Sequence, residues 1–197
     1  KTTELNQEPI VEASLLAQED FCILEPDQDG LYRLSAACVC FPARWDLPAK
    51  LDRNLSQIHG PVPGFEAKLT APLNRMFANL KVDQPVWRQN WSLETDTALH
   101  QPGNHFHGLG AKLTASEITQ KLWLRSEYQT LRRMEKTHAI VFTIRNFIWP
   151  LTDLTDRKHR SRLKTQIETM CPEMSDYKSI SGYKNAILEH LGATISL

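Results

Sequence analysis

The sequence predicts an α+β fold in which about five antiparallel strands form one sheet with helices packed beside it. Two candidate strands come early in the chain and three come late, with the main helices between and after them. Strands and helices do not alternate regularly, as they would in a doubly wound parallel sheet. The 197 residues are 41% apolar, which is enough to bury a sizeable core.

The early part of the chain predicts a short helix followed by a hairpin. Residues 1–10 have no strong period and are expected to form a lead-in, whereas Val11 to Asp20 has apolar residues at helical spacing. Phe21 to Leu24 is typical of a strand, Asp27 to Gly30 of a turn, and Leu31 to Phe41 of the return strand.

The middle of the chain predicts the best helix. Leu47 to Leu55 is expected to form one or two helical turns. Phe65 to Leu80 is predicted to be one continuous helix, because its apolar residues recur at helical spacing. Those residues are Leu69, Leu73, Met76, Phe77 and Leu80.

Three later segments predict the remaining strands. They are Val86 to Leu93, Leu122 to Met134 and Ala139 to Trp149, and the last is apolar enough to be expected at the centre of the sheet. His100 to Gly110 is predicted to be a loop. From Leu151 onward the pattern becomes helical.

Composition and charge argue against several classes of protein. Lys and Arg number 23, as do Asp and Glu, so the formal net charge is zero. This argues against a protein that binds nucleic acid through bulk electrostatics. No apolar run reaches the roughly 18 residues that a membrane span needs, and the N-terminus has no charged region followed by an apolar one. We therefore expect a cytoplasmic protein with no nucleic-acid partner and no membrane partner.

The cysteines and several familiar motifs also narrow the function. Four cysteines are too few for a disulfide scaffold. Cys38 and Cys40 alternate on a predicted strand, where buried thiols are favoured over a metal-binding pair. The sequence lacks G-x-x-x-x-G-K-[ST], G-x-G-x-x-G, G-x-S-x-G and H-E-x-x-H. Nucleotide cradling, serine hydrolysis and simple zinc hydrolysis therefore have no support.

The histidines are candidate metal ligands. His59 ends a predicted helical turn and precedes the bend of residues 60–64, which is stiff because its two prolines fix the backbone. A stiff frame favours coordination, since little entropy remains to be lost on binding. The alternative is a surface or capping histidine. His100, His105 and His107 could bind a metal, and solvated loop histidines are the alternative there.

A row of polar residues lies on one predicted strand. By the two-residue period one face carries Arg125, Glu127, Gln129, Leu131 and Arg133. That face is either a solvated edge or part of a site. Arg145 lies within an apolar strand, so it either faces solvent or is a buried guanidinium paired with a carboxylate, as an oxyanion site would use.

Five segments occur together in a characteristic order. They are C-F-P-A-R-W (Cys40 to Trp45), I-H-G-P-V-P-G-F (Ile58 to Phe65), P-V-W-R-Q-N-W-S-L (Pro85 to Leu93), E-Y-Q-T-L-R-R (Glu127 to Arg133) and A-I-V-F-T-I-R-N-F (Ala139 to Phe147). The set resembles the haem-dependent oxidative N-demethylase α-subunit family. The resemblance extends from about residue 11 to about residue 190.

The resemblance implies a PAS-like fold that binds haem b, with the iron held by His59 as axial ligand. Pro61, Trp87 and Trp91 lie in the same motifs and are the other expected cofactor-binding residues. The implied organisation is a lead-in of residues 1–10, a PAS-like haem-binding domain of residues 11–156, and a helical extension of residues 157–197 packed on that domain.

The resemblance also implies a reaction and its partners. It implies an oxygenase that uses dioxygen to remove a methyl group from a small secondary amine, releasing formaldehyde. Electrons would come from NADPH through a separate reductase subunit that carries FMN and a 2Fe-2S cluster. Glu127 or a Trp face would suit an ammonium substrate, and Arg133 and Arg145 would stabilise anionic oxygen.

Two other functions stay open. The chain could be a PAS-like haem sensor of gas or redox state without turnover, or a haem-free interaction domain. The sequence also departs from the family's pattern, with Tyr128 in place of Arg, His138 in place of Gly and Phe147 in place of Tyr. These departures leave the identity of the amine open.

Overall fold

The structure is a computed structural model that describes residues 8–103 and 112–193. In this part of the chain seven strands are formed. They are β1 (Asp20–Pro26), β2 (Tyr32–Cys38), β3 (Ala43–Trp45), β4 (Val86–Glu94), β5 (Gln101–Pro102), β6 (Trp123–Arg133) and β7 (Ile140–Pro150).

The same residues form eight α-helices and two short 3-10 turns. The helices are α1 (Pro9–Ser14), α2 (Leu55–Ile58), α3 (Phe65–Lys68), α4 (Thr70–Asn79), α5 (Ala115–Lys121), α6 (Arg157–Glu168), α7 (Pro172–Tyr177) and α8 (Lys184–Gly192). The 3-10 turns are Leu151–Asp153 and Ser181–Tyr183.

Five of the strands form one antiparallel sheet in the spatial order β2-β1-β7-β6-β4. The predicted α+β class is therefore confirmed, and the sheet with its flanking helices is consistent with a PAS-like fold. The apolar strand β7 lies at the centre, as its composition predicts. The short strands β3 and β5 pair in parallel as a separate ladder that the sequence pattern did not indicate.

The predicted hairpin forms, but its second strand ends earlier than expected. β1 and β2 pair antiparallel from Phe21 opposite Cys38 onward. Beyond Cys38 the backbone leaves the ladder, because the buried carboxylate of Asp20 accepts hydrogen bonds from the backbone N–H groups of Cys40 and Phe41, at 2.6 and 3.0 Å. A side chain at the start of β1 thus replaces the ladder bonds that a longer β2 would have made.

The single helix predicted over residues 65–80 is broken into α3 and α4 at Leu69. Pro72 lies in the first turn of α4 and has no backbone N–H, so it cannot bond back to the carbonyl of Lys68. Leu69 itself is half exposed, whereas Phe77 and Leu80 are buried as the helical spacing predicts. The proline therefore ends one helix and begins the next.

The described residues divide into two compact units. The first unit contains residues 8–90, 99–103 and 127–146, and the second contains residues 91–98, 112–126 and 147–193. Strands β4, β6 and β7 each contribute residues to both units. The division into a lead-in, a haem-binding domain and a helical extension stays a prediction.

In the first unit, one face of the sheet packs against helices α2 and α4. Strands β1, β2 and β7 supply apolar side chains to this inward face, and the two helices cover them. The buried cluster consists of Cys22, Leu24, Tyr32, Leu34, Leu55, Ile58, Phe77, Leu80 and Ile140. On β6, Leu131 packs against the same cluster, so Glu127, Gln129 and Arg133 share the inward face by alternation.

The second unit has a core of its own, built mainly from aliphatic side chains. Helices α5, α6 and α8 and the ends of the long strands supply most of them, and the two 3-10 turns add Leu151 and Tyr183. The cluster consists of Leu93, Ile118, Leu122, Leu124, Leu151, Leu163, Ile167, Ile180, Tyr183, Ile187 and Leu191. Within residues 8–103 and 112–193, none of the helices is both long and apolar enough to cross a membrane.

Candidate functional site

The imidazole of His59 is fixed by its own helix. His59 is the residue that ends α2, and its Nδ1 lies 2.8 Å from the backbone carbonyl oxygen of Leu55. Because a carbonyl oxygen can only accept, Nδ1 carries the proton and Nε2 presents its lone pair. Donation from one ring nitrogen to a carbonyl orients a histidine whose other nitrogen binds a metal. His59 therefore caps α2, and the same contact orients its Nε2 as a possible metal-donor atom.

The bend after His59 brings an aromatic ring against the imidazole. The backbone N–H of Val62 donates to the carbonyl of His59 at 2.8 Å, and that of Phe65 donates to Val62 at 3.1 Å. Gly64 has a φ of 70°, in the left-handed region that favours glycine. The ring of Phe65 then stacks on His59 with centroids 4.4 Å apart and planes at 6°. The imidazole cannot rotate freely.

The surroundings of His59 favour its neutral form. Burial is the main cause that lowers the pKa of His59, and the positive charges of Arg88 and Lys50 lower it further. The hydrogen bond to Leu55 acts in the opposite direction. Lys50 is held nearby because its Nζ donates to the carbonyl of Ile58 at 2.8 Å. A neutral imidazole is the form that binds a metal, so this donor fits an axial ligand of haem iron.

A polar cluster lies on the inward face of β4 and β6. It consists of Arg88, Asn90, Glu127 and Gln129. Arg88 Nε donates to Gln129 Oε1 at 2.6 Å, and Gln129 Nε2 donates to Glu127 Oε2 at 2.7 Å. Asn90 Nδ2 donates to the same oxygen of Glu127 at 3.2 Å. Gln129 is only 6% exposed, so at this position the row is not a solvated edge.

The polar cluster and His59 belong to the same neighbourhood of the first unit. Arg88 joins them, because it bonds to Gln129 and its charge acts on the imidazole. The sequence pattern indicated Glu127 and His59 as candidates but not Arg88, Asn90 and Lys50. The signal for Arg88 and Asn90 was their two-residue spacing in V-W-R-Q-N-W, which puts both side chains on one strand face.

Arg133 lies on the same strand face as Glu127 but has structural partners. Its Nε donates to the carbonyl of Leu80 at 2.6 Å, and its second terminal nitrogen donates to the carbonyls of Phe77 and Ala78. Its guanidinium also lies 5.7 Å from the ring centre of Tyr32. Arg133 therefore bonds to the carbonyl end of α4, and its catalytic role stays a prediction.

Arg145 lies on the opposite face of the sheet from Glu127. Its strand neighbour Thr143 contacts Thr130 of β6 at 2.6 Å between hydroxyl oxygens, and Thr130 alternates with Gln129. Arg145 pairs with Glu19 at 3.1 Å and donates to Gln18. The structure thus places Arg145 away from the polar cluster, and its predicted catalytic role stays a prediction.

The remaining predicted cofactor residues lie in three settings. Trp87 is 64% exposed on the outward face, where its ring lies 5.5 Å from that of Tyr128. Trp91 belongs to the second unit, where its Nε1 donates to Gln166 at 2.7 Å and Lys178 lies 4.4 Å over its ring. Pro61 is exposed in the bend after His59.

The other metal candidates gain no support from the described residues. His100 is exposed, with its Nδ1 2.9 Å from the carbonyl of Cys40. His105 and His107 lie outside the described residues. Over residues 8–103 and 112–193, no group of three or more His, Cys, Asp or Glu side chains could hold a metal ion. Cys40 is exposed rather than buried as expected, since β2 ends before it.

Two open concave surfaces lie elsewhere in the first unit. One, of about 650 Å³, is lined by Pro26 to Asp29 and Arg33 around the β1–β2 turn. The other, of about 510 Å³, is lined by residues 15–19 and Arg145. Neither includes His59 or Glu127, and solvent-facing depressions of this kind contribute nothing to the site.

Comparison with known protein families matches residues 1–188 to the haem-dependent oxidative N-demethylase, alpha subunit-like family. The match covers the first unit, the second unit up to residue 188, and every residue of the candidate site. The family's description implies dependence on haem and an enzyme with more than one subunit. Because the match spans residues 1–188 of the 197, the chain belongs to the haem-dependent oxidative N-demethylase, alpha subunit-like family.

Proposed function

We propose that this chain binds haem b through Nε2 of His59 and catalyses the oxidative N-demethylation of a small methylated amine. The observation that supports this most directly is the His59 imidazole, with Nδ1 bonded to Leu55 and one ring face covered by Phe65. Family membership supplies the reaction class. Bound haem supplies the activation of dioxygen for the oxidation.

The chain's own residues supply binding and orientation. His59 would hold the cofactor through Nε2, while its Nδ1–H donates to the carbonyl of Leu55. Phe65 keeps water from one face of the imidazole. The carboxylate of Glu127 accepts the hydrogen bond of the protonated amine, because a cationic substrate needs an anionic or aromatic partner. Trp87 lies on the other sheet face, so Glu127 is the partner that the geometry favours.

The electron supply belongs to another subunit in this proposal. The family's description as alpha subunit-like supports an assembly with other subunits. We propose that a reductase subunit with FMN and a 2Fe-2S cluster takes electrons from NADPH and delivers them to this chain.

Absorption spectroscopy of the chain loaded with haem tests the ligand. His59→Ala is expected to shift or abolish the Soret band, and free imidazole is expected to restore it by occupying the vacated position. His100→Ala is the matched control, because the Nδ1 of His100 also lies within hydrogen-bond distance of a backbone carbonyl oxygen, whereas its side chain is exposed. A Soret band in His59→Ala identical to that of the wild type contradicts the proposed ligand.

Product analysis separates the enzyme from the alternatives. Dimethylamine, dioxygen and a chemical reductant are expected to yield formaldehyde with the wild type, and much less with Glu127→Gln, whose Soret band stays unchanged. Haem binding without formaldehyde would favour the sensor. A chain that haem titration cannot load would favour the interaction domain.

A further inference from the structure

The polar cluster has a fixed direction that starts at Arg88. An Nε–H group can only donate, so the amide oxygen of Gln129 must face Arg88 at 2.6 Å. The amide nitrogen of Gln129 must then face Glu127, where it donates to Oε2 at 2.7 Å. The bonds to Arg88 and to Glu127 together hold the buried Gln129 amide, with its oxygen toward Arg88 and its nitrogen toward Glu127.

Both donors to Glu127 arrive at the same carboxylate oxygen. Asn90 Nδ2 and Gln129 Nε2 each donate to Oε2, at 3.2 and 2.7 Å. Two donors on one oxygen orient the carboxylate and direct Oε1 to a different partner. Because Glu127 is only partly buried, that partner can come from outside the chain.

Among the described residues, the contacting aromatic pair of β4 and β6 does not lie on the face that carries Glu127. Trp87 and Tyr128 contact each other on the outward face of β4 and β6, whereas the polar cluster is inward. Recognition at Glu127 therefore depends on a hydrogen bond to a carboxylate oxygen rather than on a cation above a ring.

We propose that Arg88 and Gln129 form a positioning relay that aims Oε1 of Glu127 at an N–H group, so that the site selects ammonium ions that still carry an N–H. This inference rests on the proposed function, since it assumes Glu127 as the amine acceptor. Arg88 and Gln129 are positioning residues and do not touch the substrate. Without Arg88 the oxygen end of the Gln129 amide loses its partner, so the direction from which Nε2 donates to Glu127 is less well defined.

Calorimetric titration of the haem-loaded chain with dimethylammonium and with tetramethylammonium tests the relay. The two ions have equal charge, but tetramethylammonium has no N–H. The wild type is expected to bind dimethylammonium about tenfold more tightly, because a charge-assisted hydrogen bond is lost with the other ion. Arg88→Met is expected to reduce this preference toward equality with little change for tetramethylammonium, which a general loss of structure would not do.

Two further variants separate the possible failures. Gln129→Met removes the middle of the relay and is expected to have the same effect, so the test stands even where Arg88→Met does not fold. Arg132→Met is the matched control, because Arg132 is an exposed arginine that alternates with Arg133 on β6, and it is expected to keep the preference.

The outcomes distinguish the relay from the proposed function. Loss of the preference in Arg88→Met and Glu127→Gln supports the relay. Loss in Glu127→Gln alone overturns the relay and leaves Glu127 as the amine acceptor. A preference unchanged in Glu127→Gln, or absent from the wild type, overturns the relay together with the amine site, while the Soret test of His59 judges haem binding separately.

Discussion

The two units of the chain bury their side chains differently. In the second unit six apolar side chains have no exposed surface at all, namely Leu93, Ile118, Leu151, Ile167, Ile180 and Ile187. In the apolar cluster of the first unit only Ile140 reaches that state. The inward face of the first unit continues from apolar strands into Arg88, Glu127 and Gln129.

This difference separates the unit whose core mainly stabilises the fold from the unit that carries the candidate site. A closed aliphatic core stabilises because every buried methylene adds to the free energy of unfolding. A polar cluster adds little net stability and must have its hydrogen bonds satisfied. The first unit gives up part of its apolar burial to hold a neutral histidine and a carboxylate in defined orientations, which is the arrangement that a binding site requires.

The largest expected effect comes from breaking the closed core of the second unit. Ile187→Ala removes a fully buried side chain and is expected to lower the free energy of unfolding by about 2–5 kcal/mol. Denaturant unfolding followed by circular dichroism measures this loss. Ser161→Ala, at an exposed position of α6, is the control and should stay within about 0.5 kcal/mol of the wild type. If Ile187→Ala lowered the free energy of unfolding no more than Ser161→Ala does, the comparison of the two units would be contradicted.

The next effect concerns the buried carboxylate of the first unit. Asp20→Ala leaves the backbone N–H groups of Cys40 and Phe41 without their acceptor, so the free energy of unfolding should fall by about 1.5–3 kcal/mol. Asp20→Asn keeps an oxygen acceptor and should cost less. Urea midpoints of the two variants measure the difference, and equal midpoints would show that these hydrogen bonds do not hold the end of β2.

A smaller effect of opposite sign is expected in the β6–β7 turn. His138 has a φ of 57°, a left-handed conformation that disfavours residues with a Cβ. His138→Gly should therefore raise the melting temperature, with a gain of about 1 kcal/mol. Lys136→Gly, in the same turn without a positive φ, should instead lose about 0.4–1 kcal/mol by making the unfolded chain more flexible. A loss in both variants would mean that His138 makes a compensating contact.

The smallest effect is a pH dependence in the second unit. Burial lowers the pKa of His190, and the nearby charge of Arg160 lowers it further. The unfolded chain therefore takes up this proton first, as the pH falls below the ordinary value of about 6.5. Stability from this group is present above that pH and is lost as the pH falls toward the lower folded pKa.

Denaturant midpoints between pH 7.5 and pH 5 are expected to fall with decreasing pH, and His190→Gln should reduce the slope. Ser161→Ala should keep the full slope. A slope that is the same in His190→Gln and in the wild type would remove His190 as a source of the dependence.

The sequence alone determined the elements whose signal is local. The alternating runs predicted the strands, with ends correct to within a few residues, and the turn residues predicted the β1–β2 hairpin. The bend with its two prolines indicated His59 as a candidate ligand, because proline and glycine constrain the backbone wherever they stand. Pro72 was equally visible, and its missing N–H is the local reason that the predicted helix is two helices.

Only the tertiary structure decided which partners these side chains meet. A two-residue period shows that Glu127 and Gln129 share a face, but it does not say whether that face is inward. The bond from Arg88 to Gln129 spans 41 positions and that from Arg145 to Glu19 spans 126. Contacts so distant in sequence depend on the strand order of the sheet, which places β6 beside β4 and β7 beside β1, and no local pattern contains that order.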